Sequence, residues 1–343
     1  MLYKLAFASY SDGRGAEAID VLKNAVAQDD HFAEGYYLLG LCLRDAQRLN
    51  EARAALERAI RIDPAMLHAR EELADLFGVL GRTEDRLDQL NKLAALNPGA
   101  SREVALGLAY AHAGQPERAV LTLGRAAERY PDDSYAYVAL GRVWLELAPT
   151  RGDALSKALS ALEGAVGNDD SSEALMLFGR ALLMTRDDDS AERMLRNATR
   201  KEPVDPLAFY YLAEASERLR HWESARQALL DYQSLHGVEE DARRRVAQSM
   251  RLANLSLKLN DASGAVRYFQ LVAADLDADP EVLARLADAQ WRAGQADAAR
   301  ATVERGLQKE PRNAQLLALR HRYALLKPSP SDRSDRATHR QGN

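Results

Sequence analysis

The chain has 343 residues, a length that fits either several globular domains or one long array, and periodicity has to separate the two. A composition of 47% hydrophobic, 28% charged and 6% aromatic residues suits closely packed helices rich in Ala and Leu. A formal net charge of −5 removes the broad positive field behind nucleic-acid affinity, and the single cysteine, Cys42, excludes an intrachain disulfide and a multi-thiolate zinc site.

From Met1 to Ser11 there is Lys4 and a few apolar residues, but no uninterrupted apolar run of the length a secretory signal needs. No export signal is expected, and the cytoplasm is the favoured compartment. No stretch approaches the roughly 18 consecutive apolar residues of a membrane span. Arg outnumbers Lys 38 to 8, which points to a GC-rich, bacterial genome. Met1 falls inside the first helix of the first unit. Leu2, Leu5 and their neighbours are then either the edge of a truncated chain or a face for another subunit or domain.

Self-alignment at a period near 34 yields nine units, one beginning before Met1 and the others at Ala33, Leu67, Ala100, Ser134, Ser172, Pro206, Val246 and Pro280. The eighth position is always small: Ala6, Gly40, Ala74, Gly107, Gly141, Gly179, Ala213, Ala253 and Ala287. The twentieth holds Ala18, Ala52, Ala119, Ala158, Ala191, Ala225, Ala265 and Ala299, with Arg86 as the exception. Four residues on stand Leu22, Leu56, Leu90, Leu123, Leu162, Leu195, Leu229, Phe269 and Val303, an apolar knob on the same helix face. Pro64, Pro98, Pro131, Pro203 and Pro311 close units where a helix must stop. Small residues let two backbones approach, the knob fills the space beside them, and stacking buries a continuous core.

This spacing resembles the tetratricopeptide repeat family over roughly residues 1–326. The resemblance implies an all-α, right-handed α-solenoid of about nine helix-turn-helix repeats with a C-terminal capping helix at Ala314 to Leu326. Residues 327–343, rich in Pro, Ser, Asp and Arg, read as a disordered tail with either a tethering role or none.

The period slips twice. The fifth unit has about five extra residues around Ala148 to Gly152, a turn expected to protrude, as harmless length variation or as an added functional loop. The seventh is long by about six near Gln233 to Arg245. There Glu239, Glu240 and Asp241 precede Arg243, Arg244 and Arg245 by four, which predicts a longer solvated helix with pairs of about 0.3 kcal/mol each. Asp187-Asp188-Asp189 reads as a solvated acidic turn, with too few ligands for calcium.

Nothing predicts catalysis. The seven histidines lack the short helical spacing of a zinc site, and no P-loop, dinucleotide fingerprint or GxSxG elbow occurs. No metal or cofactor is expected, and the chain is read as a non-enzyme.

The resemblance implies a concave groove lined by the second, fifth, ninth and twelfth positions of each first helix. The residues selected there are Tyr37, Leu41, Arg44, Leu108, Tyr135, Val138, Arg142, Met176, Arg180, Tyr210, Glu214, Met250, Asn254 and Trp291. An apolar stripe of this extent marks a binding surface, unless neighbouring helices bury its members against each other. Arg142 and Arg180, with Arg44, would meet an acidic group. The Lys and Asn clamp with which some members of the family hold a C-terminal carboxylate does not match, since the corresponding positions hold pairs such as Tyr37 with Leu41 and Glu71 with Asp75. Trp144, Trp222, Tyr36, Tyr137 and Phe209 are expected to be structural, and Cys42 a small core residue. The expected function is a scaffold that binds a protein or peptide partner. The alternative is an assembly subunit of a bacterial envelope or secretion complex, acting through its outer surface or N-terminal face and open to oligomer formation there.

Overall fold

The computed structural model describes residues 1–236, 241–277 and 279–325, which hold nineteen α-helices and no strand. The chain divides into two compact units, Met1–Asp170 and the part from Ser171 onward. The first unit contains α1 (Leu2–Ser11), α2 (Gly15–Gln28), α3 (Ala33–Asp45), α4 (Leu49–Ile62), α5 (Leu67–Val79), α6 (Thr83–Leu96), α7 (Ala100–His112), α8 (Pro116–Arg129), α9 (Ser134–Leu147) and α10 (Ala154–Asn168). The second contains α11 (Ser172–Met184), α12 (Asp188–Ala198), α13 (Pro206–Arg218), α14 (Trp222–His236), α15 (Ala242–Lys258), α16 (Ala262–Asp275), α17 (Pro280–Arg292), α18 (Ala296–Lys309) and α19 (Ala314–Leu325).

Within each unit, successive helices pair into hairpins, and the second helix of one hairpin packs on the first helix of the next. Seven of the eight repeat starts read from Ala33 onward coincide with a helix start. The eighth, Val246, lies four residues inside α15, so the slip in the seventh repeat lengthens this helix at its N-terminus. Asp241 does not join the helix as expected. It caps it, accepting from the amides of Arg243 and Arg244 at 2.8 and 3.2 Å. Arg245 forms a bidentate pair with Asp275 on α16. Glu239 and Glu240 lie outside the described residues, as does the tail 327–343.

The small residues and the knobs fit together in the way the periodicity requires. A Cβ added to Gly40 would stand 2.7 Å from Leu56, and one added to Gly107, Gly141 or Gly179 would stand 2.5 Å from Leu123, Leu162 or Leu195. Those leucines are fully buried, and so are the alanines at the twentieth position. Burial of each leucine stabilises its hairpin by roughly 1.5–3 kcal/mol. Cys42 is buried in the same seam of the first unit, where loss of solvent and the charge of Asp45 push its thiol up to about 11.

Eight hairpins turn in one way. A residue with positive φ ends the first helix: Gly13, Gln47, Gly81, Gly114, Arg186, Arg220, Asn260 or Gly294. The amide after it reaches back to a carbonyl five residues earlier, as in Gln115 to Tyr110 at 2.9 Å and His221 to Ser216 at 2.8 Å. The fifth hairpin replaces this turn with its extra residues. Pro149, Thr150 and Gly152 are exposed there, while Arg151 folds back over the buried ring of Trp144 at 5.2 Å. Trp144 therefore packs across its hairpin, as expected. Asp187 caps α12 and Asp188 pairs with Arg218 at 3.0 Å, so the acidic turn organises helix ends.

Candidate functional site

The first helices carry the selected residues, but the structure sorts them into different environments. In the first unit Tyr37, Leu41 and Leu108 are half-buried against the core. Burial, followed by the charge of Glu72, raises the Tyr37 phenol above its ordinary value. Arg44 is held by two carboxylates of the chain, Asp45 at 2.9 Å and Glu72, and Tyr10 donates to the same Asp45 at 2.7 Å. Expected to face an acidic partner, Arg44 instead completes an internal network. Tyr135 stands 52% exposed. Val138, selected as a groove residue, is only 4% exposed, because its position faces the packing between helices. Arg142 is half-buried and engaged by other groups of the chain.

In the second unit Met176, also selected for the groove, is 4% exposed and belongs to the buried set. Trp291 is half-buried. Its ring stacks on Tyr323 of α19 at 4.2 Å with 4° between planes, and Arg300 lies over it at 5.4 Å. The capping helix takes up this side chain, which the repeat pattern alone leaves open. Glu214 pairs with Arg218. Met250 is half-buried and Asn254 exposed, the latter at the edge of a polar hollow that also contains Arg285, Asp288 and Arg322. Asp288 already pairs with both Arg292 and Arg322 there.

Around Tyr210 the arrangement is different. Tyr210 meets Tyr211 and Tyr232 with ring centroids 5.5 Å apart in each case, edge-on to the first and tilted to the second. Arg251 from α15 lies over the Tyr210 ring at 5.0 Å and pairs with Glu217 at 3.0 Å. Arg180 from α11 lies over Tyr211 at 5.8 Å. Burial pushes the Tyr211 phenol up, and it stays neutral at ordinary pH. Between α13, α14 and α15 these rings enclose a cavity of about 420 Å³, completed by Leu207, Arg244 and Arg251. Leu207 is 41% exposed at its mouth.

Of this cluster, sequence reading selected Tyr210 and Arg180 but not Tyr211, Tyr232, Arg244 or Arg251. Tyr211 and Arg251 occupy the sixth position of their repeats, one residue beyond a selected position. A search for an aromatic at the sixth position opposite an arginine at the ninth position of the preceding repeat finds the Arg180 and Tyr211 pair.

Among the described residues the one cluster of metal-ligand type is Asp29, Asp30 and His31, all exposed, with His31 Nδ1 already 2.6 Å from Asp30 Oδ1. No described helix is long and apolar enough to cross a membrane.

Comparison with known proteins agrees with the repeat reading. Two family models of the tetratricopeptide repeat match, one over residues 9–73 and 256–323 and the other over 104–173 and 176–237. No curated protein matches the chain. Among solved structures, a tetratricopeptide repeat protein from Parabacteroides merdae is 18% identical with a TM-score of 0.50, over 75% of this chain and 97% of its own. Pseudomonas aeruginosa pilF is 18% identical with a TM-score of 0.48, over 61% of this chain and 93% of its own. YrrB, described as a TPR protein with an unusual peptide-binding site, is 21% identical with a TM-score of 0.42, over 55% and 96%.

Proposed function

From the premise that this chain belongs to the tetratricopeptide repeat family, whose members generally act as protein-interaction scaffolds, we propose that it holds a segment of a partner protein against the exposed faces of its first helices. The observation that carries this reading is the open apolar surface at groove positions. Tyr135 and Leu207 are 52% and 41% exposed, and Leu207 borders a cavity lined by three tyrosines. Large rings with little rotamer freedom are the side chains that anchor interfaces. Arg44, Val138, Met176 and Trp291 leave the contact set, because the chain's own groups satisfy or cover them.

The test is selection of displayed twelve-residue peptides on the full chain, with affinities measured by fluorescence anisotropy. Peptides that use the first unit should lose about 2 kcal/mol, roughly thirtyfold in Kd, on Tyr135→Ala, and those that use the second should lose as much on Tyr210→Ala. Failure to select any peptide, or selection of peptides indifferent to both changes, removes the reading.

A second reading, assembly through the face of α1, is supported by Leu5 and Phe7, which are 50% and 53% exposed there. Light scattering tests it. An oligomer that dissociates on Leu5→Glu supports assembly, and a monomer at every concentration removes self-assembly.

A further inference from the structure

We infer that the cavity between α13, α14 and α15 is a recognition pocket for one large apolar side chain, aromatic or leucine, in a partner's peptide segment, with Arg244 taking a carboxylate next to that side chain in the segment. The inference rests on the scaffold reading and narrows it to one pocket and one ligand chemistry.

Three observations carry it. The first is size and lining. Ligand pockets run from roughly 300 to 1,000 Å³, and about 420 Å³ is at the lower end, suited to one or two side chains and not to an extended ligand. Tyr210, Tyr211 and Tyr232 line it together, and Leu207 adds an exposed apolar side chain to the lining. The rings meet edge-on and tilted at 5.5 Å, the geometry that aromatic pairs favour and that a further ring can extend.

The second observation is the charge around it. Glu214 is taken by Arg218, which also reaches Asp188, and Glu217 is taken by Arg251. Arg244 lines the cavity, is exposed, and has no carboxylate partner among the described residues. Arg180, against the Tyr211 ring, has none among them either. A chain whose overall charge is −5 thus presents, beside an aromatic hollow, two cations with no carboxylate partner among the described residues. Charge complementarity selects an acidic segment, and a guanidinium at the rim can bind a carboxylate with two parallel bonds.

The third observation separates protein from nucleic acid, since tyrosine and arginine can also hold a base and a phosphate. Arg218 and Arg251 already pair with Glu214 and Glu217, so a phosphate backbone running along α13 would meet neutralised pairs in place of a row of free cations. A carboxylate placed at Arg244 needs no such row.

The probe is a ten-residue peptide, acetylated and amidated, with a central phenylalanine between two aspartates on each side and glycine or serine elsewhere. Its binding to the full chain is read by fluorescence anisotropy. Phenylalanine to alanine in the peptide should weaken binding at least tenfold, and all aspartates to asparagine should do so by a similar factor. On the Arg244→Gln protein the aspartate peptide should keep only the small advantage over the asparagine peptide that the field of Arg180 supplies. Arg180→Gln should weaken the aspartate peptide by a smaller factor, through loss of the field alone. Tyr211→Ala should abolish the preference for phenylalanine over alanine. Arg244 is exposed, so its substitution leaves the fold intact even if Tyr211→Ala does not. Absence of binding, or equal binding of the two peptides to the unaltered chain, overturns the pocket assignment. The scaffold reading then still stands if displayed peptides bind elsewhere and respond to Tyr135→Ala. Tighter binding of a ten-nucleotide single-stranded DNA, lost on Arg244→Gln, also overturns it.

Discussion

The hairpins α5–α6 and α7–α8 are neighbours built to the same period, and they lock differently. In α7–α8, Gly107 faces Leu123 with no space between them, Ala119 sits beside the pair, and Leu123 is fully buried. In α5–α6 the small residue is Ala74, the twentieth position is Arg86, and the knob Leu90 is only half-buried. Alanine in place of glycine does not lift the knob, because Leu22 and Leu229 are fully buried opposite Ala6 and Ala213. The arginine does. Its guanidinium lies along Gly78, 3.5 Å from where a Cβ would be, at a position where other repeats carry Arg44, Leu145 or Trp291. A large substitution in one helix is thus accommodated by a glycine in the other.

The largest expected effect breaks the regular lock. Leu123→Ala removes a fully buried side chain with little room for collapse and should destabilise the chain by about 3–4 kcal/mol, whereas Leu90→Ala should cost about 1–2 kcal/mol. Each hairpin contacts only its neighbours, so the loss is local. Hydrogen exchange should show faster opening of α7 and α8 in the first variant and a weaker effect on α5 and α6 in the second. Equal losses would mean that Arg86 does not loosen the seam.

Next comes Gly107→Ala. The new methyl would stand 2.5 Å from Leu123 Cγ, a branch point and not a flexible tip, so the two helices must separate. Overpacking of this kind costs about 1–2 kcal/mol against a helix-propensity gain of about 1 kcal/mol. A lower midpoint in urea is expected, and a higher one would show that the hairpin can adopt the spacing of its alanine-bearing relatives.

The seam was legible because it repeats: nine small residues and nine knobs at fixed offsets leave one packing solution. The site was less legible, for a physical reason. Tyr211 and Arg251 lie one residue beyond the positions taken to face the groove, and a helix turns 100° per residue, so a one-position rule misses side chains long enough to curl back into the same hollow. Trp291 failed in the opposite sense. Its position is open in a repeat with no helix stacked beyond it, but α19 lays Tyr323 across the ring. Val138 and Met176 share a similar fate, since both stand at the fifth position and sink between helices, whereas Tyr135 stands at the second position, which is exposed in most of the repeats.

The smallest expected effect gives the comparison its sign. Gly78→Ala places a methyl 3.5 Å from the Arg86 guanidinium, ordinary contact with nothing to displace, while it removes the backbone freedom that glycine brings to a helix. Near the C-terminus of α5 the gain should be about 0.5 kcal/mol, a slightly raised urea midpoint, opposite in sign to Gly107→Ala. A leucine at the same place should collide with the arginine and lose stability, and it should lose much less when combined with Arg86→Ala. Coupling of about 1 kcal/mol in that cycle would show that glycine and arginine compensate each other across the hairpin, and additivity would show that they do not.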